Sequence, residues 1–286
     1  MENFKESIQL ASGLYLQASP QKFRLHRLLP WDAPACTQSL LETGDIAVTR
    51  QLMAGAFYAG FVPRSGEETA SESVPATTPA LLRYIHSLAG SYQTTHATPT
   101  TMRRVAARFA ALGQHETTAY FLHVASEESG HDTLALMDIA ALGLPAEEFV
   151  ARLRPKNSLA LVEQFTRFAD SDQPIAVLGY AFALERMALF NTEATIAAIE
   201  QLIRAGVKAT RCLRVHSSAG STETSHVAES LVFIATLAPQ DRATIARAVY
   251  ETVHLQSAAD TDYPGDAAMR VLLAEFGWNM EAEALA

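Results

Sequence analysis

The chain has 286 residues, 49% of them apolar, with only 14 Gly and 12 Pro, so it can bury a substantial core and reads as helix-rich rather than sheet-rich. Its net charge of −9 comes without a basic cluster, which excludes the counterion release that drives nucleic-acid binding. Cys36 and Cys212 lie far apart without metal-type spacing, and the N-terminus lacks a basic segment followed by an apolar one. Neither a disulfide scaffold nor a zinc knuckle is indicated, and no apolar run approaches the ~18 residues of a membrane span, so the expectation is a cytoplasmic protein with no membrane partner.

Taken in chain order, residues 1–29 read as an amphipathic helix broken at Ser19-Pro20, and 34–61 as a longer helical region. Together 1–62 form a set of lead-in helices. The stretch 63–78 turns to Ser, Thr, Glu, Gly and Pro without apolar periodicity and is expected to be a flexible loop, whether lid or connection. Its Glu67, Glu68 and Glu72 are solvated loop charges. From 79 onward the apolar spacing predicts helices over 79–92, 98–112, 115–141 and 146–153. A further helix over 174–205 follows the capping cluster Asp170-Ser-Asp172 and stops at Gly206. The pattern continues over 209–237, ending before Pro239, and over 240–257. With no strand-like alternation and no fixed repeat, the expectation is an all-α protein, one domain over 1–286 with a bundle over 79–258.

Helices space residues three or four apart onto one face, so Glu-x-x-His lets a carboxylate and an imidazole aim at one ion. Glu128-Ser-Gly-His131 and Glu223-Thr-Ser-His226 have this form, as does Glu251-Thr-Val-His254. Random placement supplies roughly one such match, so context decides. Around His131 stand Val124, Ala125, Leu134, Ala135 and Ile139, consistent with an inward-facing helix. Glu127, four before His131, is an alternative ligand to Glu128. Glu185 lies in the apolar run Tyr180-Ala-Phe-Ala-Leu-Glu-Arg-Met-Ala-Leu-Phe190, where an uncompensated carboxylate is costly. Arg186 is its chain neighbour, but adjacent helical positions do not face each other.

On an ideal helix, at about 100° per residue, His216, Glu223 and His226 share one face. The three histidines with Glu128, Glu185 and Glu223 are enough for two iron ions with open positions, and mixed imidazole and carboxylate donors suit iron or manganese better than copper or structural zinc. Glu251 and His254 instead sit on an ordinary amphipathic helix with Ile245, Val249 and Val253 on its apolar side. The predicted helices from 79 to 112 contain no Glu, which argues against a ferritin-like arrangement.

Glu127-Glu-Ser-Gly-His-Asp-Thr-Leu-Ala-Leu-Met-Asp138 with Ala141-Leu-Gly143, Glu185 in its apolar helix, and the His216 to His226 stretch together resemble the haem-oxygenase-like diiron oxidases and oxygenases. These iron-containing redox enzymes share a helical fold with thiaminase II and pyrroloquinoline-quinone synthase. The resemblance covers roughly 79–237 and implies a haem-oxygenase-like bundle with Glu128, His131, Glu185, His216, Glu223 and His226 as iron ligands. Many members place the last two histidines closer, with an Asp between them where this chain has Glu223, and their first Glu often stands further ahead of its His.

Asp138, seven residues after His131 and on nearly the same helical face, is a candidate acceptor for an imidazole N–H, or a surface acid. His123 reads as a core or surface histidine.

The resemblance implies an O₂-dependent, non-haem diiron oxidase or oxygenase with two Fe(II) ions as cofactor and O₂ as co-substrate. Its substrate would be a small amine or amino acid, and its outcome N-oxygenation, desaturation or oxidative C–C cleavage. Arg186 and Arg214 are candidate anchors for a substrate carboxylate, with surface ion pairing as the other reading. A metal-free thiaminase-like or cofactorless enzyme on the same fold is the alternative enzyme class, and it lacks a cysteine placed beside acid-base groups. A haem or small-ligand binding protein would need only one of the histidines and leaves the grouped carboxylates unexplained. The expected partner is a small molecule, and a homodimer is left open.

Overall fold

The computed structural model describes residues 4–27, 44–61, 78–203, 205–217, 221–257 and 262–278, without the side chains of 78, 79 and 221–225. The fold is predominantly helical, as expected from composition. The chain clusters into two compact units, one made of residues 1–63, 164–187 and 224–257, the other of 64–163, 188–223 and 258–286. Among the described residues no helix is long and apolar enough to cross a membrane.

The first unit begins with a correction. The expected N-terminal helix is a three-stranded antiparallel sheet of β1 (Glu6–Ala11), β2 (Leu14–Ala18) and β3 (Phe23–Arg27), in that order. Ile8, Leu10, Leu16 and Ala18 are all buried, a period of two that a short helical reading absorbs as amphipathicity. The Ser12-Gly13 turn pairs Ala11 with Leu14, and the supposed helix break at Ser19-Pro20 is the second turn, closed by Ser19 N–H donating to Lys22 O at 2.9 Å.

Helix α1 (Ile46–Gly60) replaces the C-terminal part of the expected 34–61 helix, and its start is set by Asp45, which accepts from Ala47 N at 2.9 Å and Val48 N at 3.3 Å. Residues 28–43 and the loop expected over 63–78 lie outside the described residues, except that 78 already belongs to the next helix. α1 packs on α11 (Pro239–Ser257), where Ser257 Oγ donates to Gly60 O at 3.4 Å. A fully buried ion pair between Glu6 and Arg242 links β1 to α11, and Arg242 Nη1 also donates to Leu237 O at 2.7 Å. α7 (Ala176–Ala188) lies against α11 at Gly179, and the Tyr180 ring stacks on Phe165 with centroids 4.3 Å apart.

In the second unit, α2 (Thr78–Ala111) is one helix where two were expected, and it runs through Pro99. Proline removes one backbone donor, and the preceding turns are threonine-rich: Thr95 Oγ1 donates to Ser91 O at 2.8 Å and Thr98 Oγ1 to Thr94 O at 3.0 Å. The expected 115–141 helix is divided into α3 (His115–Glu127) and α4 (His131–Ala141), followed by α5 (Ala146–Arg152).

The 174–205 prediction resolves into α7 and α8 (Glu193–Glu200), and the 209–237 prediction into α9 (Arg211–Val215) and α10 (Ser221–Thr236). α6 (Lys156–Asp170) and α12 (Asp266–Glu275) occupy stretches with no helical expectation. The core of this unit joins Leu82, Ile85, Ile139, Phe149, Met269 and Leu273, all fully buried. Two buried side chains pin loops to it: Tyr84 OH donates to Ala209 O and Trp278 Nε1 to Leu142 O, each at 2.7 Å.

Candidate metal centre

Glu128 and His131 do not share a helix. Glu128 closes α3, Gly130 turns the chain with φ +94, and His131 is the first residue of α4. A left-handed residue stops a helix, and glycine adopts that conformation without a Cβ clash, so the Glu-x-x-His spacing here spans a turn. The turn still brings the side chains together, with His131 Nδ1 and Glu128 Oε2 3.0 Å apart and both groups largely removed from solvent.

His216 comes from α9, whose last turn it caps with its N–H donating to Cys212 O at 3.2 Å. Its ring meets that of His131 edge to face at a centroid distance of 4.8 Å, and Asn191 Nδ2 donates to its carbonyl at 3.4 Å. One donor atom each of Glu128, His131 and His216 lie within 4.8 Å of one another. Donors held ~2.1 Å from one ion are ~3 to ~4 Å apart, so a small contraction brings all three to a cation. One carboxylate with two imidazoles is the donor set of mononuclear non-haem Fe(II) sites with open positions, so these residues fit iron.

The single helical face expected for His216, Glu223 and His226 is not formed, because α9 ends at Val215 and α10 begins at Ser221. In the first unit, Glu185 on α7 is half-buried, His226 on α10 is buried, and a carboxylate oxygen of one lies within 4.8 Å of a ring nitrogen of the other. The Glu223 side chain lies outside the described residues.

The remaining candidates are placed elsewhere. Glu127 pairs with His123 Nε2 at 3.3 Å, one turn apart on α3. Asp138 is fully buried but accepts from Arg211 Nη1 at 3.0 Å and Cys212 N at 2.8 Å rather than from an imidazole. Burial pushes its carboxyl up, opposed by those donors and the guanidinium charge. Arg214 is held by Glu200, with Nη2 at 2.9 and 3.0 Å from the two oxygens, and by Glu193, which supports the ion-pair reading over a substrate anchor. Arg186 stacks over Phe57 at 4.9 Å. Glu251 pairs with Arg167 at 3.3 Å and His254 stacks on Tyr250, as expected of an ordinary amphipathic helix. Burial pushes the Cys212 thiol up to about 12, which leaves it protonated and a poor nucleophile at neutral pH.

The helical architecture is shared with a domain of unknown function with a heme oxygenase-like fold from Shewanella denitrificans OS217, at a TM-score of 0.53 and 18% identity over 71% of this chain and 84% of that one. That likeness defines the class of fold. The model of the iron-containing redox enzyme family matches residues 85–257, and the chain belongs to that family. No curated protein matches it.

Proposed function

We propose that the protein is an O₂-dependent non-haem diiron oxidase or oxygenase acting on a small organic substrate, an amine or amino acid. The observation that carries the reading is the Glu128, His131 and His216 group, a carboxylate and two imidazoles gathered within one compact unit of an iron-containing redox enzyme. These three would hold one ion. Glu185, His226 and, from the sequence, Glu223 are the proposed ligands of the second.

Two Fe(II) ions supply the electrons that ground-state O₂ needs before it reacts with a closed-shell organic substrate. The side chains contribute positioning. His131 Nδ1 and Glu128 Oε2 face each other at 3.0 Å, the spacing of two donors that share one ion, so the same contact that fixes the ring's orientation points both atoms at the place an ion would take. Packing edge to face against His131 restricts His216 in turn. The largely buried setting of Glu128 and His131 keeps bulk water from competing for the donors.

The test is anaerobic Fe(II) titration of the full chain with iron per chain measured after desalting, followed by O₂ uptake in an oxygen electrode, with His216→Ala and His226→Ala as controls. Binding of about two irons per chain, lowered in each variant, with iron-dependent O₂ consumption supports the proposal. Absence of specific iron uptake, unchanged by either substitution, sinks it and leaves a metal-free enzyme or a ligand-binding protein.

A further inference from the structure

α9 spans five residues, far below the ~12 at which a helix begins to persist alone, so contacts from outside must hold it. Its capping residue does not cap it. Thr210 turns its hydroxyl away to donate to Glu200 Oε1 at 2.6 Å. The acceptor for the first turn comes instead from another helix: Asp138 Oδ2 takes the Cys212 N–H at 2.8 Å, and Oδ1 takes Arg211 Nη1 at 3.0 Å.

Cys212 is thereby bonded at both ends of its backbone, its N–H to Asp138 and its carbonyl to the N–H of His216. At the other end of the link, Asp138 lies seven residues beyond His131 on α4, about 10.5 Å along the same helix axis. One fully buried carboxylate therefore ties the helix that starts at His131 to the short helix that ends at His216. Nothing in the Asp138 contacts reaches an imidazole, so it acts through the backbone.

We propose that Asp138 is a positioning residue of the metal centre, setting the His216 ring against that of His131 through the Cys212 peptide. This rests on the reading of those histidines as iron ligands, but the geometric part can be tested without metal.

In the metal-free full chain with labelled histidine and phenylalanine, the two imidazoles are close enough to give a ring-to-ring nuclear Overhauser effect. Asp138→Ala is expected to abolish it while the Phe149 to Phe276 ring contact and far-UV helicity persist. In a parallel titration with Co(II) as spectroscopic probe, the same variant is expected to bind at least ~10-fold more weakly, the range for outer contacts that orient a ligand. Retention of both the imidazole contact and wild-type Co(II) affinity in Asp138→Ala overturns the proposal. Should that variant not fold, Asp138→Asn and Arg211→Ala each remove the charge pairing and are expected to weaken Co(II) binding severalfold at unchanged helicity. Wild-type affinity in both also overturns it. A wild-type chain that binds no metal, yet loses the imidazole contact on Asp138→Ala, refutes the iron reading and supports the positioning role.

Discussion

Replacing Gly179 by alanine sets helix propensity against packing at the place where α7, the helix bearing Glu185, approaches α11. Inside a helix, Gly→Ala alone stabilises by about 0.5–1 kcal/mol. Here the added Cβ meets the Ile245 carbonyl oxygen and lies 2.7 Å from Ala248 Cβ, against the ~3.5–4.0 Å of normal carbon contact. Relief requires the two helices to separate by about 1 Å, because both obstacles are α11 backbone or bonded directly to it. Overpacking of this kind costs about 1–3 kcal/mol, and obstacles fixed to the backbone put it in the upper half of that range, so the expected net loss is about 1–2 kcal/mol. At about 2–3 °C per kcal/mol for a chain of this size, Tm falls by about 2–6 °C. The assay is urea unfolding followed by far-UV circular dichroism, with Gly90→Ala as the contrast. At Gly90 the obstacle is the Ser158 hydroxyl at 2.6 Å, the tip of a side chain that can rotate away, so that variant is expected to be neutral or stabilised. A Gly179→Ala protein as stable as wild type, or more so, refutes the reasoning.

Other outcomes follow from the same structure. Glu6→Ala leaves Arg242 buried without its carboxylate and is expected to cost about 3–5 kcal/mol by chemical denaturation, whereas the double change to Met at both positions recovers most of that loss. Asp45→Ala removes the α1 cap and is expected to cost about 1 kcal/mol at neutral pH. The Lys5 contact holds the Asp45 carboxyl below its ordinary value of 3.8, so the gap between wild type and variant is full above that value and closes as pH falls through the lowered one. A pH-independent gap in urea midpoints excludes that linkage. Saturating Fe(II), added anaerobically at about 100 times Kd, is expected to stabilise the protein by about 2.7 kcal/mol. A chelator reverses the shift, and a shift that survives His131→Ala assigns it to some other site.

How far the sequence alone reached depends on the range of the forces involved. Apolar spacing marked the short α5, the long α11 and the helical character of the whole, because burying one face is a local demand that a helix meets by itself. The acids and histidines were legible by type, since carboxylates and imidazoles beside apolar runs need compensation. Where helices stop was less legible. Gly130 signals a break, yet the periodicity on both sides of it hides that break, so Glu128 and His131 read as one face when a turn joins them. Between His216 and His226 the same assumption of one ideal helix failed, and the short α9 has no pattern of its own to announce it. At the N-terminus, four buried apolar side chains at spacing two lost to an amphipathic helical reading because a strand's partner lies across a turn rather than along the chain. Asp138 marks the limit most clearly: its spacing from His131 placed it on the right face, but only the packing of α4 against α9 made Arg211 and the Cys212 N–H its partners. Composition and periodicity determined which residues had to be inside. Which buried charge answers which donor was decided by contacts dozens of residues apart, and those exist only once the helices have packed.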